Sequence, residues 1–194
     1  MNRLFAFVFS FFAFGSVTNA QVSLEQLPME LQRKPWNAEW ITVPNTPEKE
    51  YGVYQFRKVF SISTKPASFV VHISGDNRYK LFVNGELVSL GPARSDISHW
   101  HFETVDIARY LKGGKNTLAA VVWNFGESMP FAQQSYRTGF ILQGNGNGQQ
   151  VVNTNQSWKC IKDEAYSPIH TNLNVYFVVG PGDKVDFSKH AWAP

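Results

Sequence analysis

The sequence predicts an all-β protein, an antiparallel β-sandwich of the jelly-roll type with about eight or nine strands and one short helical turn. Short segments rich in β-branched and aromatic residues recur along the chain, and turn residues separate them. Neither heptads nor an alternation of strands and helices is visible. The chain has 194 residues, of which 43% are hydrophobic, so it can bury a core and is too apolar for intrinsic disorder.

The first 20 residues predict a secretory signal peptide. Arg3 precedes an apolar run over residues 4–15, and small residues lead to a cleavage position after Ala20. An uncleaved anchor is the alternative, but the run is shorter than the ~20 residues that a spanning helix needs. We therefore expect an exported protein, periplasmic or extracellular, that is not inserted in a membrane after cleavage.

The mature chain is predicted to begin with a polar arm and to continue as one β-domain. The boundaries that the composition indicates are residues 21–37 for the arm, 38–185 for the jelly-roll domain and 186–194 for a C-terminal tail. Alternating or β-branched patterns predict strands within the domain at residues 53–60, 68–74, 79–83, 86–88, 102–106, 116–123, 139–143, 150–153 and 174–179.

Turn chemistry separates these strands. Asn84 and Gly85 favour a two-residue type I′ hairpin, because both positions of that turn need a positive φ. Asp106 suits the N-cap of a helical turn at residues 107–111. Residues 144–148 lack the helix and the Lys-Ser/Thr pair of a phosphate-binding loop, so we interpret them as a flexible hairpin connection. Residues 154–172 are predicted to be mostly loop.

Charge and cysteine content exclude several classes of protein. The formal charge is only +3 and no basic stripe is visible, so we expect no nucleic-acid partner. Cys160 is the single cysteine, which excludes an internal disulfide and any site built from several cysteines. In an oxidising compartment it is most simply a buried strand residue.

Catalytic chemistry is not evident in the sequence. Hydrolysis of a glycosidic bond needs two flanking carboxyl groups, and Glu103 and Asp106 are near in sequence. Three positions apart on a strand, they point to opposite faces. Asp96 and Glu127 lie in loops, and Ser135 is not in a nucleophile elbow. We therefore expect no enzymatic activity from this chain alone.

The segment from Arg94 to His101 combines polar groups with a large ring, the mixture that sugar sites use. Trp100 is a candidate platform for a pyranose, with Arg94, Asp96 and His99 as partners of its hydroxyls. The alternative is a structured loop in which Trp100 plugs the end of the sandwich and an Arg94–Asp96 pair holds the loop.

A second candidate site follows the strand at residues 116–123. Functional groups on sandwiches cluster in loops at strand ends. We assign carbohydrate binding to Trp123, Asn124, Gln133 and Tyr136, and a calcium ion to the oxygen donors of Asn124 and Glu127. No cofactor is required. The alternative is core packing for Trp123 and a polar rim for the other residues.

The histidines offer little further chemistry. His99 and His101, with Asp96, are a candidate zinc site, but no third neutral ligand has a suitable spacing. His72 lies in an apolar strand and is interpreted as a hydrogen-bonded core or edge residue.

Several motifs resemble a known family of enzymes. They are Glu39-Trp40-Ile41 and the segments at residues 56–60, 79–86, 91–96, 99–106, 116–124, 139–144 and 157–159. Together they resemble the N-terminal, non-catalytic jelly-roll region of bacterial α-L-rhamnosidases and, more loosely, the galactose-binding-like modules of glycosidases. The resemblance covers most of residues 36–185.

The resemblance implies an accessory role. The chemistry of these enzymes resides in a downstream (α/α)6 barrel that is absent here, so no catalytic residue is carried over. The chain would be truncated before that barrel, with residues 186–194 leading to a missing domain. Loops comparable to residues 124–136 supply ligand and calcium contacts in related rhamnose-binding modules.

Four functions follow, in decreasing order of preference. The first is a carbohydrate-binding or accessory module whose partners are a rhamnose-containing glycan and the missing glycosidase domains. The second is a free-standing, secreted, lectin-like protein. The third is a purely structural interface domain, which predicts an exposed apolar patch and no sugar affinity. An intact small glycosidase ranks last.

Overall fold

A computed structural model describes residues 34–169 and 180–190 of the chain. The predicted signal peptide, the arm up to residue 33, the strand at residues 174–179, His170 and residues 191–194 lie outside the described residues. The strands of the described part are β1 (Tyr51–Ile62), β2 (Val70–Asp76), β3 (Arg78–Val83), β4 (Glu86–Gly91), β5 (Glu103–Asp106), β6 (Gly114–Phe125), β7 (Gly139–Gly144), β8 (Lys159–Lys162), β9 (Tyr166–Pro168) and β10 (Asp183–Val185).

Two antiparallel sheets form the sandwich. One has five strands in the order β4-β3-β6-β1-β8, the other has three in the order β5-β2-β7, and β9 and β10 form a separate ribbon. The longest pairing joins β1 to β6 over their full length, from Tyr51 opposite Phe125 to Ile62 opposite Gly114. The predicted all-β antiparallel sandwich is therefore confirmed.

The core lies between the two sheets because the strands alternate in burial. On β6, Leu118, Ala120 and Val122 are buried, whereas the residues between them are partly exposed. Phe140 of the facing sheet is fully buried and stacks on Phe56, with 5.4 Å between ring centroids. The inward-facing apolar side chains of this alternation thus form one continuous core.

The hairpin between β3 and β4 has the predicted geometry. Asn84 has φ 51° and Gly85 has φ 92°, so both turn residues are in the left-handed region. Val83 pairs with Glu86 across the turn. The Asn84 side chain donates to the carbonyl of Tyr110 at 2.8 Å, which attaches the hairpin to the segment before β6.

The predicted helical turn is present as a 3-10 helix at Ala108–Tyr110. The Asp106 carboxylate accepts hydrogen bonds from the backbone N–H groups of Ala108 and Phe69, both at 2.9 Å, and from the Ser68 hydroxyl. Burial raises the pKa of Asp106, but these three hydrogen bonds outweigh it and leave the pKa below its usual value. The N-cap of the turn is Ile107, one residue later than predicted, and Asp106 binds the first N–H of the turn from the position before it.

The strand predicted at residues 150–153 is wrong, and so is the hairpin at residues 144–148. Residues Asn147–Val152 form a 3-10 helix that folds back over the end of β7. Gly144 permits this because a Cβ at its position would overlap the backbone of Gln149. The Asn153 side chain accepts from the Gly144 N–H at 2.9 Å and closes the turn.

The expectation of mostly loop at residues 154–172 is wrong for two segments. β8 pairs with β1, with Cys160 opposite Phe56, and β9 pairs with β10. Short strands of this kind form because a sheet edge supplies their hydrogen bonds, and their own sequence carries little signal. Cys160 lies on a strand, as predicted, but it is half-buried rather than buried, and this partial burial raises the pKa of its thiol.

His72 is a core histidine, in agreement with its interpretation from the sequence. Its side chain is fully buried on β2, with Nδ1 2.9 Å from the Thr104 hydroxyl and Nε2 2.9 Å from Oδ1 of Asn145. Burial lowers the pKa of His72 below 6.5, although the hydrogen bond to Asn145 opposes the shift.

We expect stability to fall in mild acid through His72. The folded pKa lies below the unfolded value of 6.5, so the stability contributed by the neutral ring is fully present above pH 6.5. It is lost as the pH falls from 6.5 toward the lower folded pKa. Urea unfolding of the wild type and of His72→Gln between pH 7.5 and 5 tests this, since the difference cancels the other histidines. If the free energy of unfolding changed with pH in the same way for both proteins, the prediction would be wrong.

Candidate functional site

A cleft of about 500 Å³ opens at one end of the sandwich, where β2 ends at Asp76 and β7 begins at Gly139. The walls of the cleft are formed by the segment that lies across β7 and by the loops on either side of that strand. The lining residues are Trp40, Ile41, Thr42, Asp76, Ile97, Trp100, Tyr136, Arg137, Thr138 and Gly139. Two of the predicted sugar-binding residues, Trp100 and Tyr136, are thus brought together here.

Three aromatic side chains, Trp40, Trp100 and Tyr136, line the cleft. Trp100 is partly buried, and its indole N–H donates to the Ser74 hydroxyl of β2 at 3.0 Å. That hydroxyl in turn donates to the carbonyl of His101 at 2.7 Å, so one chain of hydrogen bonds fixes the indole N–H edge of the ring to β2. Trp40 and Tyr136 are 50% and 67% exposed. An oriented ring beside exposed aromatic surface suits the C–H face of a sugar.

Asp76 provides a polar group among these rings. It is 2% exposed, and its Oδ2 accepts hydrogen bonds from the backbone N–H groups of Tyr136 and Arg137 at 2.7 and 2.8 Å. Its Oδ1 accepts from the Asn77 side chain at 3.1 Å. The carboxylate therefore holds the wall that carries Tyr136 and places acceptor oxygens at the cleft. Sequence reasoning missed Asp76, although its position at the end of a buried strand is where functional groups collect.

Asn124 organises the same wall from within the protein. It is 1% exposed, and its side-chain nitrogen donates to the hydroxyls of Ser135 and Thr138 at 3.0 and 2.9 Å. Its side-chain oxygen accepts from the Gly126 N–H at 2.9 Å. Glu127 is exposed on the following 3-10 turn. The structure thus explains Asn124 as a loop anchor, and calcium at Asn124 and Glu127 stays a prediction.

Gln133 lies inside the same loop. It is 6% exposed, and its side-chain nitrogen donates to the carbonyl of Asn77 at 3.4 Å. It does not line the cleft. Gln133 therefore supports the loop that Asp76 and Asn124 hold, and a direct contact with a ligand in this cleft is not available to it.

Trp123 lies elsewhere. The buried neighbours Val122 and Asn124 face the core, so Trp123 points to the outer face of the five-stranded sheet. There the Lys80 ammonium lies 5.6 Å from the ring centroid. The structure does not place Trp123 beside Trp100 in the cleft, so the two predicted platforms do not form one site.

The loop before Trp100 is held by Asp96. Oδ1 of Asp96 accepts from the backbone N–H groups of Ser98 and His99 at 2.7 and 2.9 Å, and Oδ2 lies 2.9 Å from Nδ1 of His99. The hydrogen bond with His99 lowers the pKa of Asp96. Arg94, Asp96 and His99 are exposed and are not among the residues that line the cleft, so of this predicted group the structure places Trp100 there.

The remaining chemical candidates have local structural roles. Glu103 accepts from the backbone N–H of Ala93 at 2.9 Å, whereas Asp106 accepts from the first N–H of the 3-10 turn. The zinc candidates do not assemble: over residues 34–169 and 180–190, no three His, Cys, Asp or Glu side chains come together to hold a metal.

Comparison with known proteins gives a match by structure. No family model and no curated protein sequence matches the chain. A GH78 family rhamnosidase of Bacillus sp. GL1 superposes with a TM-score of 0.69 and 30% identity over 80% of this chain. The chain resembles a β-sandwich region of GH78 α-L-rhamnosidases. The α-L-rhamnosidase from Dictyoglumus thermophilum shares the fold, with a TM-score of 0.53 and 24% identity over 68% of this chain.

The resemblance concerns a small part of each enzyme. This rhamnosidase-like chain spans 16% of the length of the Bacillus enzyme and 17% of the Dictyoglumus enzyme. The family predicted from the sequence motifs is therefore confirmed at the level of one β-sandwich region. In the described part of this chain no helix has the length and apolar character needed to cross a membrane.

Proposed function

We propose that this rhamnosidase-like domain is a non-catalytic accessory module that binds a neutral sugar of a rhamnose-containing glycan in the cleft beside Trp100. We further propose that it acts outside the cytoplasm, together with glycosidase domains. The observation that carries the proposal is the hydrogen-bonded Trp100 ring, which lines one cleft together with the exposed rings of Trp40 and Tyr136 and with Asp76.

The chemistry of the cleft favours a neutral ligand with hydroxyl groups. Asp76 can accept hydrogen bonds from sugar hydroxyls through the positions that its three donors leave open. Its negative charge disfavours an anion. Arg137 at the rim is paired with Glu48 at 3.5 Å, so the cation is already balanced. The apolar walls suit the C–H face and methyl group of a 6-deoxy sugar such as rhamnose.

The same cleft supports a non-catalytic role. Hydrolysis of a glycosidic bond by the usual route needs two carboxyl groups, one on each side of the bond. Among the residues that line the cleft, Asp76 carries the only carboxylate, and two backbone N–H groups already bind it. The domain therefore binds sugar without cleaving it.

Titration of L-rhamnose into residues 21–194 tests the proposal by calorimetry and tryptophan fluorescence, with and without calcium. We expect saturable binding that Trp100→Ala weakens about tenfold or more, because the pyranose loses its stacking face. Trp123→Ala is the matched control, since it removes the same side chain from the outer sheet face. It should leave binding unchanged.

Three outcomes would contradict the proposal. An equal loss of L-rhamnose affinity in Trp123→Ala would show that the cleft is not the binding site. Hydrolysis of an aryl rhamnoside would contradict the non-catalytic role. A flat titration on a folded sample would favour the structural interface domain, for which Leu87 and Leu90 on β4 are 49% and 55% exposed beside a groove of about 340 Å³.

A further inference from the structure

A second pocket lies at the other end of β7. It has a volume of about 240 Å³, room for about eight water molecules at ~30 Å³ each. β7 begins at Gly139 in the sugar cleft and ends at Gly144 in this pocket, about 17 Å away at ~3.4 Å per residue. Its lining residues are Lys34, Pro35, Trp36, Asn37, Gln143, Gly144, Asn145, Gly146, Asn147, Gln150 and Asn153.

Two buried amides of this pocket have a defined orientation. Gln143 and Asn153 are 7% and 6% exposed. Oε1 of Gln143 accepts from the Ala38 N–H at 3.0 Å, and Oδ1 of Asn153 accepts from the Gly144 N–H at 2.9 Å. A backbone N–H can only donate, so each amide must present its oxygen to the backbone and its nitrogen elsewhere.

The nitrogens of the two amides are donors without an acceptor among the described residues. Within the described residues, neither Nε2 of Gln143 nor Nδ2 of Asn153 donates a hydrogen bond to a protein acceptor. They are not sealed from solvent either, because no enclosed side-chain nitrogen or oxygen of the described residues lacks a partner. Two oriented N–H2 groups of buried side chains therefore face the space of the pocket.

The surroundings of these donors favour an anion. None of the described residues that line the pocket is Asp or Glu, and the cationic residue Lys34 lies among them. Trp36 adds an apolar wall, and its ring contacts Phe102 with 5.1 Å between centroids. Amide N–H donors, a cation and an aromatic face together suit a ring that carries a carboxylate.

We propose that this pocket binds the carboxylate of an acidic sugar, a uronate residue of a glycan. Gln143 and Asn153 donate to the carboxylate, and Trp36 packs against the sugar ring. The site and its ligand differ from the neutral-sugar cleft, so the proposal goes beyond the proposed function. One domain would thus contact a glycan at two points of opposite charge preference. The cleft presents the carboxylate of Asp76, and this pocket presents amide N–H groups.

Calorimetric titration with D-galacturonate tests the proposal, with D-galactose and acetate as separate arms. We expect saturable binding of galacturonate that weakens with added salt, and no binding of galactose. Acetate should bind at least about tenfold more weakly, because it lacks the ring that packs on Trp36. The variants are Gln143→Glu and Asn153→Asp, which keep the acceptor for the backbone N–H and replace the amide nitrogen by an anionic oxygen.

Each variant should weaken the binding of galacturonate at least about tenfold. The thermal unfolding midpoint of each variant shows whether it is folded. Gln134→Glu is the charge-matched control, since Gln134 is exposed and outside the pocket. An equal loss in the control would overturn the site, and so would the absence of galacturonate binding to the wild type. Equal affinity for galactose would overturn the role of the carboxylate, and equal affinity for acetate would overturn the role of the sugar.

Discussion

Asp76→Ala is expected to lower the free energy of unfolding by about 3–5 kcal/mol and to abolish binding in the cleft. Two backbone N–H groups, those of Tyr136 and Arg137, lose a charged acceptor that is 2% exposed, and hydrogen bonds to charged groups contribute about 1.5–3 kcal/mol each. The wall that carries Tyr136 then loses its charged anchor at the end of β2.

Urea unfolding and L-rhamnose titration measure the two effects separately. Asp76→Asn should cost less, because the amide keeps one acceptor oxygen for the two N–H groups. Asp96→Ala is the exposed control: its carboxylate also accepts two backbone N–H groups, but water replaces it there, so the loss of stability should be much smaller than for Asp76→Ala. Equal stability losses for Asp76→Ala and Asp96→Ala would show that the buried carboxylate is not an anchor.

Phe140→Ala is expected to lower the free energy of unfolding by about 3–5 kcal/mol, the range for removing a buried aromatic ring. Phe140 is fully buried, and its ring lies 5.4 Å from that of Phe56 and 5.6 Å from that of Trp158. Phe56 belongs to the facing sheet, so the substitution leaves a cavity between the two layers that neither sheet can close without moving as a whole.

Phe187→Ala is the matched control, because the same side chain is 78% exposed there and should contribute less than about 0.5 kcal/mol. Chemical denaturation of both variants gives the comparison. A loss below about 1 kcal/mol for Phe140→Ala would mean that the core around Trp158 does not pack as described.

The sequence predicted those strands that carry their own signal. β1, β2 and β6 alternate or are β-branched over long stretches, and each was found. The hairpin at Asn84 and Gly85 was found with both residues at positive φ, because few residue pairs adopt that geometry. By contrast, β8 and β9 escaped prediction, since they depend on partner strands that are remote in the sequence.

The candidate site likewise contains one part that the sequence predicted and another that it did not. Trp100 was identified from local composition, whereas Asp76, the acceptor beside it, was not. Trp123 looked equivalent to Trp100 in the sequence, but the position of β6 in its sheet turns the ring outward. The pocket at Gln143 was likewise hidden, because an amide becomes a directed donor only when a particular backbone N–H takes its oxygen.

The all-β class, the hairpin, the role of Asp106 at the helical turn and the likeness to a rhamnosidase region could all be predicted from the sequence, because short-range chemistry and residue order carry these properties. Which loops meet depends on the three-dimensional fold. Asp76, Trp100 and Tyr136 are up to 60 residues apart in the chain, and they share a cleft because β2 and β7 pair side by side, with the end of β2 next to the start of β7. Such pairings depend on long-range hydrogen bonds and core packing, to which no local pattern is sensitive.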